Sequence, residues 1–150
     1  MHKSVISSAT SLRVHSPDER AMWPRAALVA GDIISFLVFA GVGRNTHHEA
    51  SGLGAIARIA TTAAPFALGW FLVSPFAGAF RRSLVGAPRR MLVRTELAWL
   101  AAWPVALVLR WAFAPDHRVP LSFAIVVLIA NAVFLGIWRL LFAVFTRSAR

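Results

Sequence analysis

Asp32, Glu96, Arg110 and Arg139 each interrupt a stretch that is otherwise apolar. Carboxylates and guanidiniums in such surroundings have two uses. They pair with one another, which lowers the cost of charge in hydrocarbon, or they form a path for protons, ions or a polar head group. Asn131 adds a neutral amide to the same set. None of these residues belongs to a recognisable catalytic pattern. The chain has no Gly-rich phosphate loop, HExxH, GxSxG or paired-carboxylate motif.

The elements that must position them are four apolar runs, about 26–43, 59–80, 96–113 and 120–145. A helix needs about 20 residues to cross a bilayer at 1.5 Å per residue. The chain is 58% hydrophobic and 15% charged, whereas a soluble domain carries about 25% charged residues. These observations predict an all-α protein, an integral membrane bundle of four transmembrane helices over residues 23–146. A polar, basic N-terminal segment (1–22) and a basic C-terminal one (147–150) flank it. The N-terminal segment has no apolar core and no small-residue cleavage site, so it reads as an uncleaved, mobile tail. Asp18 and Glu19 argue against a transit peptide.

The net charge is +10 and nearly all the cations are arginine. Most flank the apolar runs, so membrane topology explains them better than nucleic-acid binding, and no nucleic-acid partner is expected. Lys3, Arg13, Arg20, Arg25, Arg81, Arg82, Arg89, Arg90, Arg94, Arg147 and Arg150 fall on one side of a four-span bundle. Arg44, Arg58, Arg110 and Arg118 fall on the other. The positive-inside rule then places both termini and the 81–94 loop in the cytoplasm, in a multi-pass protein of the cytoplasmic (inner) membrane. Arg81, Arg82, Arg89, Arg90 and Arg94 are expected to contact anionic lipid. The chain has no cysteine, which excludes disulfides, thiolate catalysis and iron–sulfur clusters.

This orientation gives each polar residue a depth. Asp32 lies about two turns inside the cytoplasmic end of span one, and Arg139 about two turns inside that of span four. Glu96 begins span three at the same level. An unpaired charge at the membrane centre costs about 2.5–3.5 kcal/mol, so Arg139 is expected to pair with Asp32, with Glu96, or with both. A pair that only fixes helix register, or side chains that snorkel to the interface, is the preferred reading. A proton or ion relay and a head-group site are the alternatives. Asn131, near the midplane of span four and on one face with Trp138, is expected to hydrogen-bond to another helix.

Glu96, Trp99, Trp103 and Arg110 share one face of span three. That stripe fits either a packing face or a cleft for a long apolar molecule with a polar head, and the packing face is preferred. Pro65 and Pro75 are expected to kink or unwind span two. Ser74 and Gly78, with Gly69 nearby, offer small surfaces for close helix contact. On the outer side, Arg44, His47 and Arg110 mark the ends of the hairpins. His47 and His48 lack an obvious third partner for zinc, so no metal and no cofactor is expected.

Several short patterns recur in order along the spans. They are Gly31-Asp32, Gly43-Arg44-x-x-His47, Thr62-x-x-Pro65-Phe66-x-x-Gly69-Trp70, Trp103-Pro104 through Leu109-Arg110, and Gly136-x-Trp138-Arg139. Together they resemble a family of small prokaryotic membrane proteins, the domain of unknown function 3054, over roughly residues 23–139. The resemblance implies four transmembrane helices and no assigned activity. It picks out Asp32, Arg44, His47, Arg110 and Arg139.

Three functions compete. The first is a non-enzymatic accessory or lipid-contacting bundle that associates with itself or with a membrane-protein partner. The second is a small proton- or ion-coupled transporter working as an oligomer, which the proline-broken span two would suit. The third is an intramembrane lipid-modifying enzyme, which lacks a visible nucleophile or metal set. A carrier requires a water-accessible cavity reaching Asp32 or Glu96; a dry bundle with Asp32 tied to Arg139 argues against one.

Overall fold

Four helices follow one another along the chain in the computed structural model, which describes residues 17–45, 53–115 and 117–148. They are α1 (Pro17–Asn45), α2 (Leu53–Val73), α3 (Pro88–Phe113) and α4 (Leu121–Ser148). A single 3-10 turn, Arg82–Leu84, lies between α2 and α3. All four helices are long and apolar enough to cross a membrane. Among the described residues there is no strand.

The helices form a closed ring in which α1 packs on α2, α2 on α3, α3 on α4 and α4 on α1. Only 28–39% of each apolar window is buried inside the ring, so most apolar side chains face outward. Leu72, Val108, Phe113, Ile129 and Phe145 are all more than half exposed. Water would penalise such a surface, and lipid does not.

The interior combines large rings with small residues. Phe36, Phe66, Trp70 and Trp99 are almost wholly buried; Trp99 makes tilted ring pairs with Phe36 and Trp70, and Phe66 meets Phe39 edge-on. Ala98, Ala102 and Ala106 recur every four residues along α3 and have no exposed surface. This flat strip lets α2 approach closely. A Cβ added to Gly69 would stand 2.8 Å from Ala106 Cβ and 2.9 Å from its backbone nitrogen, so only glycine fits there.

The helix ends differ from the sequence expectation, for identifiable reasons. α2 stops at Val73 instead of continuing to residue 80. Pro75 cannot donate a backbone bond and disfavours helical geometry at Ser74. The apolar run then continues as a turn that buries Ser74, Gly78 and Ala79 but exposes Phe76; in it the Ala79 N–H donates to Ser74 O at 3.0 Å and Gly78 adopts φ +73°. By contrast, Pro65 and Pro104 lie inside unbroken helices. α3 starts at Pro88, eight residues before the expected residue 96, because proline suits the first helical position. α1 begins at Pro17, within the segment read as a tail, and α4 extends to Ser148.

Both chain-end helices meet the α2–α3 turn. Leu28 of α1, Leu84 of the 3-10 turn, Met91 of α3 and Phe142 of α4 form one apolar cluster. The Arg147 Cα lies 3.7 Å from where Gly86 would carry a Cβ. The start of α1, the turn, the start of α3 and the end of α4 therefore share one face of the bundle, here called the turn face.

Candidate functional site

Asp32 on α1 and Arg139 on α4 meet in the interior, and neither has any exposed surface. Their contact is bidentate. Arg139 Nε donates to Asp32 Oδ1 at 2.9 Å, and Arg139 Nη2 donates to Oδ2 at 2.5 Å. This fork geometry is the strongest form of a carboxylate–guanidinium pair. Trp70 Nε1 on α2 adds a third donor to Oδ2 at 3.0 Å. The remaining guanidinium nitrogen, Nη1, donates to the Ala79 carbonyl in the α2–α3 turn at 2.7 Å.

The rings around the pair complete its environment. The guanidinium carbon lies 4.9 Å from the Trp70 ring centroid and 4.6 Å from that of Phe80. Both are cation–π distances in a desolvated setting. Every nitrogen of Arg139 thus donates, and both oxygens of Asp32 accept. Three helices and the turn converge on this one clasp.

Local sequence explains the approach of α1 to α4. A Cβ on Gly31 would overlap the Trp138 indole, so glycine makes room for the ring one residue before the acid. Ser35 Oγ donates to the Gly31 carbonyl at 2.8 Å and so bonds within its own helix.

Glu96 does not join the clasp. The ion pair of Arg139 is with Asp32, and Glu96 lies half-buried at the α3–α4 seam. Its Oε1 sits 2.7 Å from where a Cβ of Gly136 would be, occupying a notch in α4. Asp32 is fully buried in the interior, whereas Glu96 lies at the α3–α4 seam against Gly136. Asn131 also departs from expectation. Its Nδ2 donates to Val127 O of its own helix at 3.0 Å, and its buried Oδ1 has no partner.

The family described as a protein of unknown function, domain of unknown function 3054, matches residues 29–142. The chain belongs to that family. The match contains every member of the clasp: Asp32, Trp70, Ala79, Phe80 and Arg139. No curated protein and no solved structure matches the chain.

In this member of the 3054 family, the tryptophan stripe of α3 is a packing face. Trp99 Nε1 donates to the Leu128 carbonyl at 2.9 Å, and Trp103 Nε1 to the Ala124 carbonyl at 3.1 Å. The two acceptors are one turn apart on α4, so the indoles lace the helices together. Arg110, at the far end of α3, places its guanidinium 5.8 Å from the Phe123 ring, and its buried Nε has no partner. Arg110 borders a cleft of about 590 Å³ with Arg58, Thr62 and Pro65. Arg44 lies in the last turn of α1, and His47 lies outside the described residues. Among the described residues, no three His, Cys, Asp or Glu side chains converge as a metal site would require.

On the turn face, the arginines divide. Arg81, Arg89, Arg90 and Arg94 line one cleft of about 480 Å³ together with Ser83, and Arg82 is not part of it. The residues that sequence reasoning left out of the clasp are Trp70, Phe80 and the Ala79 carbonyl. A tryptophan in mid-span was the available signal, because a buried indole N–H needs an acceptor. Nothing in the sequence marks one backbone carbonyl among many.

Proposed function

We propose that this protein is a non-enzymatic, lipid-contacting helix bundle of the cytoplasmic membrane, an accessory to itself or to a membrane-protein partner. The observation that carries the reading is the closed state of the clasp. Asp32 and Arg139 are the groups best placed for transport or catalysis, and both are fully engaged in holding three helices and a turn. A relay needs an acid that water can reach and that can release its partner, and Asp32 has no exposed surface. The distribution of arginines supports a cytoplasmic turn face. The purified protein in vesicles carrying a pH-sensitive dye tests this reading. Proton flux equal to that of empty vesicles is expected. Flux above that level, abolished by Asp32→Asn, overturns it.

A proton-coupled carrier is the second reading, and Glu96 favours it. This carboxylate is half-buried within a span, beside the Gly136 notch and away from Arg139. In the same vesicles, a carrier of this kind gives a flux that Glu96→Gln removes and Asp32→Asn does not.

A further inference from the structure

The cleft on the turn face has features that general attraction to a charged membrane does not require. Arg81, Arg89, Arg90 and Arg94 come from two separate segments, the turn after α2 and the first two turns of α3, yet they border one space of about 480 Å³. Two acids of the bundle are turned elsewhere: Asp32 is committed to Arg139, and Glu96 sits against Gly136. Arg94 is steadied by a bond from Nη1 to the Ala77 carbonyl at 3.4 Å. The cleft also lies at the start of a 26-residue helix with no side-chain cap and no acid in its first turn. Unpaired N–H groups there add a positive end to the arginine cluster. Every charged group on the walls therefore asks for an anion, and Ser83 supplies a hydroxyl beside them.

The floor of the cleft continues into an apolar track. Val93 lines the cleft and is 51% exposed. Leu97 and Leu100, each 56% exposed, follow at offsets of four and seven, so they lie on the same face of α3. This track runs about 10 Å along the outer face of α3, away from the turn. A free anion has no use for it, whereas an acyl chain does.

We propose that this cleft is a stoichiometric site for one anionic phospholipid with two phosphates in its head group, of the cardiolipin type. The phosphates lie among Arg81, Arg89, Arg90 and Arg94, and one acyl chain runs along Val93, Leu97 and Leu100. Four guanidiniums match two phosphates better than one, and guanidinium forks suit phosphate oxygens. Basic pockets among transmembrane helices are known to hold such head groups. The inference rests on the lipid-contacting reading above and fails separately from it: vesicles without flux and a protein without retained lipid would sink this site alone.

Native mass spectrometry of the full chain released from detergent micelles tests the site. Cardiolipin, phosphatidylglycerol, phosphatidylcholine and inorganic phosphate are supplied in separate runs. One cardiolipin retained per chain is expected, with less phosphatidylglycerol and no phosphatidylcholine. Arg90→Gln and Arg89→Gln should each weaken retention about fivefold, as expected for one arginine at a membrane surface. Arg82→Gln should leave it unchanged, because that residue shares the loop but not the cleft. Leu97→Asn should weaken retention by placing an amide in the acyl track, and unchanged retention would overturn the acyl placement. Equal losses for Arg82→Gln and Arg90→Gln would show diffuse attraction and overturn the site. So would equal retention of phosphatidylcholine, or displacement of the lipid by inorganic phosphate. Unchanged melting of each variant shows that the fold is intact.

Discussion

Removing Asp32 should leave the bundle with an unanswered guanidinium at its centre. Asp32→Ala deletes the acceptor of three hydrogen bonds, two from Arg139 and one from Trp70. Interhelical hydrogen bonds in membranes average about 0.6 kcal/mol each, which sets a floor of about 2 kcal/mol. Breaking a buried pair by deleting one partner costs about 3–5 kcal/mol, because the remaining charge stays desolvated. Arg139 keeps the Ala79 carbonyl and its two rings, so the lower part of that range, about 3 kcal/mol, is the expected cost. The double variant Asp32→Ala/Arg139→Met removes the stranded charge and should recover much of the loss, since an apolar replacement of a buried pair is often close to neutral. Reversible unfolding in mixed micelles, followed by circular dichroism, measures Asp32→Ala, Arg139→Met and the double variant. A single variant within about 1 kcal/mol of the parent refutes the argument, and so does a double variant as unstable as the sum of its singles.

Three other sites give separate outcomes. Gly69→Val should push α2 away from Ala106 at a cost of about 1–3 kcal/mol, read as a lower melting temperature. Gly31→Ala should destabilise by forcing the Trp138 ring aside, and adding Trp138→Leu should restore part of the loss; a double variant no better than the single would count against that contact. Asn131→Leu should be neutral or stabilising in the same melts, because it removes a buried oxygen that has no partner.

The sequence made some of this legible through depth and little of it through rotation. Counting residues from the helix ends puts Asp32 and Arg139 at one level, and the cost of charge in hydrocarbon then pairs them. Glu96 sits at that level too, but depth does not say which side of a helix faces inward. The Ala98–Ala102–Ala106 strip and Trp99 settle that for α3, and they leave Glu96 at the seam. Span two was drawn too long because Phe76, Ala77, Ala79 and Phe80 stay apolar after the helix has ended. Hydropathy reports the solvent a segment tolerates, and it cannot separate a helix from an apolar turn. Pro75 and Gly78 carried that information. Asn131 was assigned a partner across helices because an amide near the midplane needs one, yet an acceptor four residues back in its own helix serves its nitrogen.

The bond from Arg139 to the Ala79 carbonyl bears on how the chain is made. Asp32 is separated from Arg139 by 107 positions, and α4 leaves the ribosome after α1, α2 and α3. Until it arrives, the carboxylate of α1 sits in or near the bilayer without its counter-ion, and the turn after α2 has an open carbonyl. One side chain on α4 answers both. A chain stopped before α4 would expose that deficit to whatever inspects nascent membrane proteins. The clasp thus closes only when α1, the turn after α2 and α4 have all reached their places.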